Sequence, residues 1–173
     1  MYQDYKDLLS AFQSHGVKYL VVGGFAVIYH SQPRFTKDMD LFIKADPENA
    51  KATYAALADF GAPLKGITWE DFTDRNNFFR FGRDPRGFDI LPAIPGVDFD
   101  AAWEKRVEDV IDTATGLKAN FISAEDLIAS KLASGRPRDL ADVDDIRKAA
   151  ESQRPKPAAK KPPEPGPESG PNH

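Results

Sequence analysis

The chain contains no cysteine. Disulfides, thiolate catalysis and cysteine-ligated zinc are therefore excluded within it. It also lacks any apolar run near the roughly 20 residues needed to cross a bilayer. Its first residues, Met1-Tyr2-Gln3-Asp4-Tyr5-Lys6-Asp7, are polar and acidic, unlike a secretory leader. The expectation is a soluble, cytoplasmic protein with no membrane partner. A strong basic balance is missing too. The formal net charge is -4, which argues against a dedicated nucleic-acid coat protein but not against an enzyme with a local basic groove. Among short phosphate-binding runs, no Gly-x-x-x-x-Gly-Lys-Ser/Thr stretch occurs, so a P-loop is excluded. No serine sits in a Gly-x-Ser-x-Gly elbow, and His15 and His30 do not have metal-ligand spacing.

What remains is one domain's worth of chain. The 173 residues are 41% hydrophobic, an ordinary globular fraction. Residues 151–173 differ: they hold seven of the 14 prolines and no large apolar side chain. Such a segment buries too little to offset its ordering entropy and reads as a disordered Pro/Lys/Glu-rich tail. The folded domain is expected over residues 1–150.

Within it, Leu8, Leu9 and Phe12 recur at helical spacing, with Gly16 at the capping position. Val17–Val22 reads as a buried strand ending at Gly23-Gly24, and Phe25–His30 as the start of a helix. Asp38–Ile43 is a strand, and Pro47–Phe60 a helix closed by Gly61. Asn77–Phe81 and Gly87–Leu91 are strand candidates. Asp109–Thr113 and Lys118–Ile122 form a hairpin around Thr115-Gly116. Ser123 with Asp126 resembles a capping box, and helices follow over Asp126–Ser134 and Arg138–Ala150. The sum is an α/β (α+β) fold: a mixed sheet with helices packed on it, and a small C-terminal helical part.

Three features carry chemistry. Gly23-Gly24, between a strand and a helix, permits a sharp turn and close ligand approach to main-chain N–H groups, which suits a triphosphate. Asp38-Met39-Asp40 places two carboxylates on one face of a strand, where their repulsion calls for a hard cation. Asp89, flanked by Phe88 and Ile90, is an aspartate where strands seldom hold one. With the pair it would complete a three-carboxylate cage for two metal ions, one activating a hydroxyl and one holding a triphosphate. Each feature alone also has a plainer reading: a tight turn, a solvated edge, a salt bridge.

Their order resembles the polymerase-β-type nucleotidyltransferase superfamily. Gly23-Gly24-Phe25-Ala26-Val27-Ile28-Tyr29-His30, then Arg34-Phe35-Thr36-Lys37-Asp38-Met39-Asp40, resembles the first motif of AbiEii-type and MenA-like nucleotidyltransferases, many of them toxins of toxin–antitoxin pairs. Glu125–Lys131, then Arg136-Pro137-Arg138-Asp139-Leu140-Ala141-Asp142, resembles that family's downstream Lys and Arg-x-x-Asp-x-x-Asp motifs. The resemblance spans roughly residues 15–148. It implies a Mg²⁺-dependent enzyme moving a nucleoside monophosphate from an NTP to a hydroxyl acceptor, with pyrophosphate released. The acceptor would be a tRNA 3′ end, a protein or a small molecule, and an antitoxin a partner.

The resemblance assigns Asp38, Asp40 and Asp89 to metal and Lys131 to the triphosphate as a mobile point charge. Arg34 either forks onto a phosphate or pairs with an acid to orient Asp38 or Asp40. Asp139 and Asp142, three apart on one helix, either position Lys131 or Arg34 or face water. Thr36 shapes the turn into the strand. Arg75, Arg80, Arg83 and Arg86 lie around the third carboxylate and either form a solvated, salt-bridged surface or line an acceptor path for RNA phosphates. His30 reads as structural. The alternative to an enzyme is a non-catalytic nucleotide-binding or regulatory module of the same fold.

Overall fold

The computed structural model describes residues 1–83 and 86–153. Helix α1 (Gln3–Ser14) buries Tyr5, Leu8, Leu9 and Phe12, the i, i+3, i+4, i+7 stripe of an amphipathic helix. Strand β1 (Tyr19–Val22) follows, then α2 (Gly23–His30) and β2 (Met39–Ile43). In α3 (Pro47–Phe60) the Asp46 carboxylate accepts the Asn49 N–H at the start, Pro47 fills the first turn, and Gly61 ends it at φ +93°. A 3₁₀ turn (Trp69–Thr73) leads to β3 (Phe79–Phe81) and β4 (Phe88–Leu91). Then come α4 (Phe99–Glu104), β5 (Val107–Asp112), β6 (Leu117–Phe121), α5 (Ala124–Ser134) and α6 (Pro137–Ser152).

The six strands make one mixed sheet in the order β3-β4-β2-β1-β6-β5. The pairs β1/β6 and β2/β4 are parallel and the others antiparallel. The α/β expectation holds, and the described residues close with an α5–α6 hairpin on the sheet.

Strand alternation sorts the core into two layers. Met39, Leu41 and Ile43 join Tyr19 and Val21 in a cluster with α1 and α3. Leu20, Val22 and Phe42 face the other way, with Ala26, Phe99, Leu127 and Ile146 from α2, α4, α5 and α6. Asp40 has the parity of Phe42. It therefore leaves the sheet on the side where the helical hairpin packs.

Several boundaries move. The first strand starts at Tyr19, and α2 already at Gly23. The second strand starts at Met39, so Asp38 lies just ahead of it instead of within it. The hairpin pairs residues 107–112 with 117–121, offset from the expected ranges. Both α4 and the 3₁₀ turn were absent from the sequence reading. Each has a local cap: the Asp98 carboxylate accepts the Ala101 N–H, and Thr68 with Asp71 forms a capping box. The last helix runs to Ser152, into the range assigned to the tail; the rest of that tail, from residue 154, lies outside the described residues. Among the described residues no helix is long and apolar enough to cross a membrane.

Candidate functional site

The glycine pair makes room for its neighbours. Gly23 has φ +65°, and a Cβ there would run into the Asp40 carboxylate. A Cβ on Gly24 would strike the Thr36 side chain and come within 3.5 Å of the Arg34 guanidinium. The two glycines thus let a carboxylate of β2 and the Arg34–Thr36 stretch lie directly against the main chain. No side chain caps the start of α2, so its first N–H groups are directed at this junction.

Asp40 and Asp89 are register partners on the parallel strands β2 and β4, so they emerge side by side on one face. Burial, the Asp89 charge with a hydrogen bond to it, and the Asp38 charge together push the Asp40 carboxyl up to about 7. Arg80, the register partner of Asp89 on β3, opposes this. Its Nε and Nη2 donate to the two Asp89 oxygens at 2.9 and 3.1 Å, a bidentate fork. Asp38 reaches the same corner from ahead of β2. Its Oδ1 lies 2.9 Å from where a Gly87 Cβ would stand, so Gly87 leaves it space. Tyr5 braces both approaches: its buried hydroxyl is 2.8 Å from the Gly87 carbonyl and 3.1 Å from that of Lys37.

The expected three-carboxylate cage is not formed as such. Among the described residues, no group of three or more His, Asp or Glu side chains is placed to hold a metal ion. The structure instead sets Asp40 beside Asp89, leaves Asp38 at the side, and commits Asp89 to Arg80. The donor chemistry still suits a hard divalent cation: oxygen atoms only, from paired acids, where burial first and the neighbouring Asp89 second hold a proton on Asp40 to near neutrality.

The opposite wall is cationic. Helix α5 ends at Gly135 (φ +68°), and Pro137 opens α6. This tight corner folds Lys131 back over Asp139 and Asp142. Lys131 Nζ lies 3.3 Å from Asp139 and 3.0 Å from Asp142. Asp142 also takes Arg34 at 3.1 Å, and Asp139 takes Arg136 at 2.8 Å. Burial pushes the Asp139 carboxyl up, but hydrogen bonds from Arg136 and Lys131 outweigh it and hold it below the usual range. Both aspartates are only 3% exposed. They position the cations and do not face water. Lys131 is therefore a tethered charge, not the mobile one expected. Arg34 pairs with Asp142, not with Asp38 or Asp40.

The acid and cation groups line one cavity of about 570 Å³, together with every site residue singled out from the sequence. So do Arg80 and two arginines to which the sequence assigns no role of their own, Arg136 and Arg138. Arg80 is salt-bridged to Asp89 and 63% exposed, as the solvated, salt-bridged reading expects, and it lines the cavity as well. The alternation Phe79-Arg80-Phe81, opposite Phe88-Asp89-Ile90, was the signal that pairs it with Asp89. Arg86 instead pairs with Asp4 at 3.7 Å. His30 sits 2.7 Å from the Ile122 carbonyl, away from the cavity lining, as a structural residue does.

Residues 3–150 match the model of a family described as nucleotidyltransferase of unknown function, DUF6036. Among solved structures, the chain is similar to the lincosamide antibiotic adenylyltransferase LnuA, crystallised with lincomycin bound. The TM-score is 0.55 at 16% identity, over 86% of this chain and 98% of that one. That likeness is one of fold. No curated protein matches the sequence.

Proposed function

Because this chain belongs to the DUF6036 nucleotidyltransferase family, we propose that it is a Mg²⁺-dependent enzyme moving a nucleoside monophosphate from an NTP onto a hydroxyl acceptor. The observation that carries this reading is that the Asp40–Asp89 acid pair and the cations Lys131 and Arg34 line one and the same cavity. A triphosphate needs positive charge along its oxygens, and the leaving pyrophosphate needs more of it.

Asp40 and Asp89, with Asp38 beside them, would hold magnesium. When bound, the ion supplies charge neutralisation and lowers the pKa of an attacking hydroxyl. Lys131 and Arg34 bind the phosphate oxygens, oriented by Asp139 and Asp142. Main-chain N–H groups at the start of α2 add donors for the same anion. The acceptor oxygen attacks the α-phosphorus, the bond to the bridging oxygen opposite breaks, and pyrophosphate departs. The hydroxyl proton passes to a carboxylate oxygen of the acid pair.

The motif resemblance favours an RNA acceptor such as a tRNA 3′ end, and a toxin's role beside an antitoxin. The likeness to LnuA favours a small hydroxyl-bearing molecule. Incubation with each α-labelled NTP, Mg²⁺ and total RNA, protein or small-molecule extract shows where label lands. Asp40→Ala should abolish transfer with an unchanged circular dichroism spectrum; transfer at the wild-type rate by that variant overturns the reading. Mg²⁺ should raise the melting temperature of the wild type and not of Asp40→Asn.

One observation favours the non-catalytic module: Arg80 already occupies both Asp89 oxygens. Calorimetric NTP binding with no product from any acceptor pool would support that second reading.

A further inference from the structure

Of the described residues lining the cavity, Phe35 alone has an apolar side chain. It is 74% exposed and belongs to neither core cluster. A phenylalanine so placed usually turns inward, because burial of its ring is favourable. Here both neighbours are held. Arg34 is fixed to Asp142 at 3.1 Å, and Thr36 is pressed against Gly24. The ring is thus presented on an anchored segment at the edge of a charged cavity.

A nucleoside triphosphate has two chemistries, an anionic chain and a flat heteroaromatic base. Lys131 and Arg34 match the first. Among the described residues of the cavity lining, Phe35 is the one aromatic ring that matches the second.

We propose that Phe35 is the stacking platform for the nucleobase of the bound triphosphate, an inference that rests on the nucleotidyltransferase reading above. An aromatic face stacks on any base, since every base has a π-face. Phe35 therefore supplies affinity without selecting among bases.

The test is calorimetry with Mg²⁺ and each of the four NTPs, beside inorganic tripolyphosphate. Phe35→Ala should weaken all four NTPs by about tenfold to a hundredfold and leave tripolyphosphate unchanged. Phe35→Trp should restore NTP affinity, and its added fluorescence should be quenched by NTPs but not by tripolyphosphate. Phe78, 62% exposed but outside the cavity lining, is the control: Phe78→Ala should match the wild type. NTP affinity unchanged in Phe35→Ala overturns the proposal. So does an equal loss for tripolyphosphate, which would mean that the phosphate wall had been disturbed. A wild type that binds tripolyphosphate as tightly as NTPs also overturns it, while leaving nucleotidyl transfer standing. A wild type that binds neither overturns the transfer reading itself.

Discussion

Asp40 and Asp89 stand opposite each other on adjacent parallel strands, so the sheet itself holds two acids together. The fold binds a proton on Asp40 up to about pH 7, whereas an unfolded aspartate releases it near 4. A raised folded-state value means that stability from this proton is fully present below about pH 4 and lost as pH rises through about 7. Without Mg²⁺, the wild type should melt at a higher temperature at pH 5 than at pH 8. Asp40→Asn cannot ionise and should flatten most of that difference. A rise of roughly three pH units corresponds to at most about 4 kcal/mol. Identical pH dependence in the two proteins would contradict the account.

Gly24→Ala tests the packing of the turn. The new Cβ would meet the Thr36 side chain, and Arg34, two residues earlier, is held by Asp142, so the segment has little room to retreat. A loss of about 1–3 kcal/mol is expected from denaturant midpoints, as for other overpacked sites. Thr36→Gly in the same chain should restore part of it. No loss in the single variant would show that the segment moves freely.

These two sites also show what was legible. The glycine and aspartate spacings marked the site because backbone turns and strand parity are local properties. Strand alternation was enough to put Asp40 on a face, and the Ser123–Asp126 capping box was enough to place the start of α5 to within two residues. The partners were legible only in part: Asp139 and Asp142 were candidates to position Lys131 or Arg34, but the sequence did not say which holds which. That Arg80 forks onto Asp89 depends on β3 lying beside β4. That Asp142 holds Arg34 depends on how the last helix crosses the sheet. Both are tertiary facts, written in no nearby residue. Short elements such as α4 escaped for another reason: six residues carry too little periodicity to be distinguished from a turn.

Asp142→Asn separates stability from charge. Lys131 and Arg34 lose the anion they share. Breaking such a network should cost about 2–3 kcal/mol, below the fully buried case because a quarter of the Arg34 side chain is exposed. The released positive charge should meanwhile tighten tripolyphosphate binding, and NTP turnover should fall because the cations are no longer aimed. Calorimetry and steady-state rates on one sample check both signs. Weaker tripolyphosphate binding would show that Asp142 organises the phosphate site more than it competes with it.

Tyr5→Phe removes one hydroxyl from the buried junction. The Gly87 carbonyl keeps the Met39 N–H at 3.2 Å, so the cost should be modest, about 1–2 kcal/mol. The residues set free precede Asp38 and Asp89. The expected kinetic signature is a several-fold lower kcat with little change in KM for the NTP, since the phosphate wall is untouched. A change in KM alone would contradict this positioning role.

The bond between Arg34 and Asp142 spans 108 residues. A ribosome adding about 5–20 residues per second needs roughly 5–20 s to make that stretch. Throughout that interval the emerging strands already carry their acids, while Arg34 still lacks the anion that will aim it. Under the nucleotidyltransferase reading proposed above, the nascent chain would lack an aimed Arg34 until Asp142 has emerged and α6 has folded back onto it.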